Sequence, residues 1–403
     1  MVGAAALLMK IMYLCTDMFS HFFEFVRRHA VAISVFVGLI LIKIIWVGWG
    51  TSVIGDFESE RDDILQRRDY LVDEVIVHPR KLIGTMPAAV GWQFQGEWAL
   101  YSCSMLAEAL ANIAELYPDC KGETVENIDS LIAIVKSPDL RFYDRARWGE
   151  DPFTSLDGDK SHVSYLSHLA WMIGNYKRVG GHTKYDALYD SVCEAMNRRI
   201  VQSPTLNIPT YPDEPIYVPD MMVAVLALAD YARQNNGRYA ETVNQWVERA
   251  QKEWLDEDSG LLASYLDEGG VVDTEVRGSF SALNCYFLTR IDPDFARQQY
   301  EKLKAGLAQS FPVAGIREYY GESCWLGVDI DLGPIILNLS PSGTAFAIGS
   351  ATFFNDSSFR NRLLRTAEIA GHTVKWNDRR HYLLADIALV GEAIALAMRT
   401  NHP

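Results

Sequence analysis

The sequence predicts an all-α protein, an (α/α)5–6 toroid or barrel of helical hairpins preceded by an N-terminal transmembrane helix. Three observations predict it. From Trp92 onward apolar residues recur at i, i+3, i+4 and i+7 almost throughout, the spacing of one helix face. The helical segments come in pairs joined by very short turns, Gly180-Gly181, Asn236-Gly237, Asp292-Pro293 and Asn355-Asp356. An apolar run from Ala30 to Gly50 holds a single charge, Lys43, and matches the thickness of a hydrocarbon core.

Composition narrows the function classes. A chain of 403 residues with 49% hydrophobic and 22% charged residues buries a large core and needs no metal or disulfide to fold. Its net charge is −15 and no Lys/Arg cluster follows the first 30 residues, so no nucleic-acid partner is expected. Six cysteines are scattered without a CxxC pair or a His at ligand spacing, which argues against a metal site. One or two disulfides are compatible with an extracytoplasmic domain, but spacing does not give their pairing. No GxSxG, HExxH, Walker A or GxGxxG context is present, and no cofactor is expected.

In chain order, residues 1–29 are apolar and aromatic but interrupted by Lys10, Asp17 and Glu24, which suits an interfacial segment better than a second span. Residues 30–50 form the anchor, with Arg27 and Arg28 before it and a mostly acidic stretch after it. That asymmetry predicts a single pass, N-in, with the C-terminal domain extracytoplasmic, in a periplasm if there is one. A cleaved signal peptide is the alternative, disfavoured by the long apolar core and the lack of an A-x-A-like site. Residues 51–90 are charged and read as a stalk or packing helix.

The toroid domain spans 91–403. Its helices are expected at 94–117, 123–137, 161–179, 183–202, 219–235, 238–255, 278–291, 293–310, 341–354, 357–371 and 381–400. Longer Pro/Gly/Asp-rich loops fill 140–160, 204–218, 256–276 and 312–340. Hairpins beginning near Tyr165, Pro219, Arg277 and Pro341 recur every 54–64 residues, each with an Ala/Leu-rich first helix and a more charged second one. Buried helices alternating with half-exposed ones suit an inner and an outer ring. An α-solenoid is the alternative, but its periods are usually shorter. In a toroid the long loops gather at one mouth, so function is sought in the loops.

The stretch Trp148–Trp171 runs from a polar loop into a helix bearing Tyr165 and His168. Imidazole suits proton transfer near neutral pH, although a lone His on a helix face is more often a hydrogen-bonded core residue. Tyr165 shares that face and alone reads as core. Asp220 follows Pro219 at a helix start, where a carboxylate either faces the dipole or works as an acid or base at the cavity rim. Arg277 opens another inner helix, where the dipole disfavours a cation, so it is expected to pair with a carboxylate or hold a substrate oxygen. The loop at 315–334 carries Arg317, Glu318, Glu322, Asp329 and Asp331. Paired carboxylates of this kind serve a sugar-cleaving site or form surface charges and ion pairs.

From Trp148 to about Phe311 the chain resembles the linalool dehydratase/isomerase family. The resemblance lies in W-x-E-D-x-F (Trp148, Glu150, Asp151, Phe153), Tyr165-x-x-His168-Leu169 and Tyr185. It continues through Val218, Val223-Ala224, Gly260 after Asp256, and Asp292-Pro293-x-Phe295, with weaker extensions at Tyr101-Ser102 and Arg317-Glu318. It implies an α/α toroid that dehydrates or isomerises a small hydroxylated, terpenoid-like molecule by acid/base chemistry without a cofactor, and a homo-oligomer. In this register His168 falls on the family's active-site histidine and Tyr165 on the tyrosine beside it. Tyr211 and Asp220 stand where the family has cysteines, and Phe280 stands near an active-site tyrosine. The family's upstream aspartate has no secure counterpart.

The first expectation is therefore a membrane-anchored lyase or isomerase of this type. His168, Asp220 and Tyr165 would be catalytic, and Trp148, Asp151, Tyr211, Arg277, Phe280, Arg317, Glu318, Asp329 and Asp331 would line the substrate site. The alternatives are a glycan-directed toroid hydrolase or lyase using paired carboxylates, and a non-catalytic ligand-binding or scaffold toroid.

Overall fold

A computed structural model of the chain describes residues 27–79, 82, 92–272, 276–329 and 333–403. It divides at Ser52 into two compact units. The first contains helix α1 (Ala30–Thr51), long and apolar enough for a membrane span and equally for a signal sequence. Most of its described side chains are exposed, Ile45 and Val31 among them. The segment expected to lie at the interface, 1–26, falls outside the described residues.

The second unit, Val53–Pro403, is an α/α toroid. Six helices form a closed inner ring: α3 (Trp92–Leu116), α6 (Val163–Arg178), α8 (Val218–Gln234), α10 (Gly278–Ile291), α12 (Pro341–Phe353) and α14 (Leu389–Arg399). Each packs on the next, and α14 returns to α3. The outer layer consists of α2 (Phe57–Leu71), α4 (Thr124–Val135), α7 (Asp186–Gln202), α9 (Ala240–Glu253), α11 (Pro293–Leu307) and α13 (Ser357–Gly371), with the short α5 (Phe142–Trp148) between hairpins.

The two layers follow from sequence chemistry. Two inner helices, α6 and α8, are buried almost all round: every residue from Val163 to Tyr176 and from Val218 to Ala232 is buried. Outer helices bury one stripe, as α9 does with Thr242, Val243, Trp246, Val247 and Ala250. Helix starts use the expected signals. Asp292 and Asp356 cap α11 and α13 by accepting backbone N–H bonds, and Ser340 caps α12 ahead of Pro341. At Gly349 a Cβ would lie 2.5 Å from Met398 Sδ and 2.7 Å from a Tyr286 ring carbon. Glycine there lets α12 approach α14 and α10 closely.

Three differences from the sequence expectation have physical causes. The 51–90 segment supplies α2, which packs on α14 and α3 as the sixth outer helix, so the toroid unit begins at Val53 rather than at residue 91. The loop expected at 312–340 supplies four strands, and the end of the helix expected at 293–310 supplies a fifth, to a sheet of order β3-β4-β7-β6-β5, formed by Ala308–Gln309, Gly315–Arg317, Leu339–Ser340, Gly333–Ile336 and Leu326–Asp329. Likewise Ile216–Tyr217 (β1) pairs with Tyr265–Leu266 (β2). Strands of two to four residues are too short to show a period-2 pattern. The last helix starts at Leu389 rather than 381, because Arg379–Tyr382 (β9) pairs with Thr373–Trp376 (β8) first. The five cysteines among the described residues are free thiols, and Cys103, Cys193 and Cys285 are buried.

Candidate active site

The N-terminal ends of five inner helices, α3, α8, α10, α12 and α14, surround a cavity of about 440 Å3, within the range of small-molecule sites. Helix α3 offers Phe94, Glu97, Trp98 and Tyr101 to it, an i, i+3, i+4, i+7 face. Asp220 comes from the first turn of α8, Phe280 and Leu283 from α10, and Phe346 from α12. Val390 and Ile394 of α14 complete an apolar side. The 204–218 loop adds Thr210, Tyr211, Glu214 and Tyr217, and α5 adds Arg147. The β1–β2 pairing sets Tyr217 in the mouth, with its ring edge-on to Tyr265 at 5.0 Å.

Asp220 is held by hydroxyl donors. Thr210 Oγ1 donates to its Oδ2 at 2.8 Å and the Tyr101 hydroxyl donates to Oδ1 at 3.3 Å. These donors orient the carboxylate, which is part of the cavity lining. Tyr211 hydrogen-bonds to Ser164 Oγ at 3.2 Å, which in turn reaches the Tyr143 hydroxyl at 3.2 Å. Burial pushes the Tyr211 phenol far above its ordinary range, and the charges of Glu97 and Asp220 add to that. Both carboxylates therefore act on one small region. Arg147 forms an ion pair with Glu214 and lies 4.1 Å over the Tyr211 ring.

Of the residues expected from sequence, Asp220, Tyr211 and Phe280 line this cavity. His168 does not. It is buried behind Tyr101, with ring centroids 4.3 Å apart, and its Nδ1 bonds Ser104 Oγ at 2.8 Å. Burial lowers its pKa to about 3. Tyr165 donates to the Val135 carbonyl at 3.0 Å and packs edge-on to Phe153. No α6 residue appears among the described lining, because Tyr101, Tyr143 and Tyr211 lie over this part of α6.

Trp148 and Asp151 serve the loop ahead of α6. The Trp148 ring lies 5.3 Å from that of His162, and Asp151 pairs with Arg141 at 3.0 Å while accepting from the Phe153 N–H. Glu318 is a strut. It accepts from Ser279 Oγ at 2.9 Å and sits between the starts of α10 and α12, with burial raising its pKa against the Ser340 and Ser279 hydrogen bonds. A carboxylate at helix N-termini is favourable there. Gly278 makes the approach feasible, since a Cβ would stand 1.9 Å from the Arg317 carbonyl. Arg317 donates to the Gly306 carbonyl, and Arg277 lies over the Tyr265 and Tyr319 rings at 5.9 and 6.0 Å. Neither is in the cavity wall. Asp329 lies in β5, and Asp331 lies outside the described residues.

Sequence reasoning missed Glu97, Glu214 and Arg147. The Phe94-Glu97-Trp98-Tyr101 stripe carried a signal for the first, a carboxylate within an aromatic helix face. Asp73, Glu74 and His78 place ligand-type atoms within 4.8 Å of one another. They lie outside the cavity, and Asp73 is paired with Arg379.

The geometry defines a class: an α/α toroid with a carboxylate- and aromatic-lined mouth. No family model and no curated protein matches the chain. Among solved structures it is similar to the C. acetobutylicum ATCC 824 glycoside hydrolase from family 105, with a TM-score of 0.50 and 10% identity over 73% of this chain and 92% of that one. A polysaccharide lyase superposes with a TM-score of 0.46 and 12% identity over 74% and 90% of the two chains. The similarity to the glycoside hydrolase is one of fold.

Proposed function

We propose that this protein is a carbohydrate-directed hydrolase whose site is the toroid mouth, with Asp220 and Glu97 as its acid/base pair. The observation that carries the reading is Asp220, oriented by Thr210 and Tyr101, beside an aromatic helix face that also bears Glu97. Flat aromatic faces suit the C–H faces of sugar rings, and two carboxylates are what glycosidic cleavage requires. One protonates the leaving oxygen; the other directs water, or itself, to the anomeric carbon. The balance is one water added per bond broken. The fold likeness to a glycoside hydrolase supports the same reading.

Hydrolysis fits the wall better than β-elimination. Elimination removes a proton beside a substrate carboxylate and needs a cation on that carboxylate, whereas the guanidinium in the described wall, Arg147, is on Glu214. The test is an oligosaccharide panel with the full-length protein, read by new reducing ends. Unsaturated products absorbing in the ultraviolet would replace hydrolysis with elimination. On aryl glycosides with good leaving groups, the acid's Asn or Gln variant keeps activity and the base's variant loses it, which assigns the roles of Asp220 and Glu97.

A second reading, dehydration of a small allylic alcohol as in the linalool dehydratase/isomerase family, draws on the largely apolar wall. It also draws on Tyr211 and Asp220, which occupy the family's cysteine positions and both line the cavity. Alkene release from terpenols by the wild type but not by Asp220→Asn would favour it. On either reading α1 is an uncleaved anchor with Arg27 and Arg28 on the cytoplasmic side. Protease digestion of membrane vesicles of known orientation tests that, the toroid being cut only where its side faces outward.

A further inference from the structure

We propose that Asp144, His162 and Ser155 form a second catalytic centre, a serine triad that cleaves carboxylic esters of small acyl groups. The three residues lie outside the described cavity lining, and the inference does not depend on the carbohydrate reading. Asp144 comes from α5, Ser155 from the loop after it, and His162 stands at the N-cap of α6. Asp144 Oδ2 is 2.6 Å from His162 Nδ1, and His162 Nε2 is 3.2 Å from Ser155 Oγ. Carboxylate, imidazole and hydroxyl, each within hydrogen-bond reach of the next, are the geometry by which such a triad is recognised on any fold. Burial is graded in the same order. Asp144 and His162 are fully buried, and Ser155 is half-buried.

Two further observations set the cluster apart from a chance meeting of loop side chains. His162 holds φ 49° and ψ 22°, left-handed backbone that residues other than glycine rarely adopt, and strain of this kind gathers at functional positions. Arg199 clamps the loop at both ends, donating to the Ser155 carbonyl at 2.8 Å and to the Ser161 carbonyl at 3.0 Å. One guanidinium thus fixes the nucleophile against the residue preceding the base, and such fixed geometry lowers the cost of bringing reacting groups together. By accepting from Nδ1–H, the Asp144 carboxylate leaves Nε2 as the acceptor facing Ser155. The Ser155 hydroxyl also reaches the Asp151 carbonyl at 3.0 Å; it turns to Nε2 when an ester is in place. Glu150 Oε1, 3.5 Å from Nε2 and paired with Lys160, favours the imidazolium that forms as the proton arrives.

In the reaction Ser155 Oγ attacks the ester carbonyl carbon as its proton passes to Nε2. The tetrahedral adduct collapses, the bond to the alcohol oxygen breaks, and His162 returns the proton to the departing oxygen. Water then gives a proton to Nε2 and cleaves the acyl-serine, so one water is added per ester broken. A half-buried hydroxyl on a clamped loop meets the carbonyl carbon from the solvent side, which suits an acetyl-sized acyl group on an exposed alcohol.

The experiment is labelling of the full-length protein in detergent with a fluorophosphonate, which phosphonylates base-activated serines, read by peptide mass. The adduct is expected on Ser155 in native wild type and absent after heat denaturation, a readout that needs no variant to fold. His162→Gln is expected to slow labelling at least about a hundredfold, and Ser155→Ala to abolish it. Asp144, a positioning residue, is tested by the pH profile. Asp144→Asn should label slowly through neutral pH and rise only in alkali, where hydroxide replaces the misoriented imidazole; a merely structural aspartate leaves the wild-type profile in the folded fraction. The other charged groups around the dyad, Glu150, Lys160, Asp151 and Arg199, are the same in both proteins. Absence of an adduct on Ser155 in native protein, or equal rates in wild type and a His162→Gln that keeps its Tm, overturns the inference and makes the cluster a brace of the loop. So does an unchanged pH profile in Asp144→Asn.

Discussion

Two groups of acidic residues in this toroid differ in what surrounds them. On the outside of the ring, Glu60 and Asp63 of α2 are buried in arginines. Arg360 grips Glu60 with two bonds of 2.7 and 2.8 Å, and Arg399 adds a third at 2.9 Å. Asp63 is bound by Arg67, Arg380 and Arg399. Burial alone would raise both pKa values, but the arginines outweigh it and hold both carboxylates below their ordinary range. In the mouth, Asp220 accepts from two neutral hydroxyls, Thr210 and Tyr101, and lines the cavity. Carboxylates saturated by guanidinium groups are fasteners. A carboxylate aimed by weak donors into a cavity can still exchange a proton with a ligand.

That contrast predicts opposite phenotypes. The largest effect is expected from Asp220→Asn: kcat/KM falls about a thousandfold while the Tm stays within a few degrees of wild type. A comparable loss of Tm would make Asp220 a fastener too. Next comes Arg399→Met, expected to cost about 3–5 kcal/mol in urea unfolding because it removes a buried guanidinium that both carboxylates share, with KM little changed. Since Glu60 and Asp63 have lowered folded pKa values, the clamp's contribution is full above about pH 4.5. It is lost as pH falls below that, toward their folded values. The urea midpoint of the wild type should therefore drop on acidification from pH 5, and that of Arg399→Met should drop less.

Smaller again is Tyr101→Phe, which removes the phenolic donor from Asp220. Turnover is expected to fall about tenfold, with a stability change under ~1.5 kcal/mol. Smallest is His168→Gln, with kcat expected within about threefold of wild type. Its pH signature lies in stability instead. A buried His with its pKa lowered to about 3 contributes fully above ~6.5 and progressively less as pH falls toward 3. The variant should lack that part of the acid dependence. A large kcat loss in His168→Gln would return the histidine to the chemistry.

The helical rhythm was legible because each hairpin carries its own local signals: paired apolar stripes, Asp-Pro and Asn-Asp turns, and Pro at helix starts. Asp220 was legible for the same reason, standing beside Pro219 at a helix start. His168 and Glu318 were misleading. Each has a reactive side chain near a loop, yet which face of the inner ring opens to the cavity depends on Tyr101, Tyr143 and Tyr211, residues distant in sequence. Tyr217 reaches the mouth through a strand pairing with Tyr265 that no local pattern encodes. Glu97 lay within a helix, while function was sought in the loops.

The clamp also sets the order of events in folding. Glu60 and Asp63 wait for Arg360 and Arg399, 300 and 336 residues later. At synthesis rates of about 5–20 residues per second, the seam between α2 and α14 stays open for roughly 15–70 s. During that time α3 presents an unpartnered flank, where its last neighbour will dock. The growing chain is thus an unclosed bracelet whose two ends of the hoop meet only when the final helix emerges.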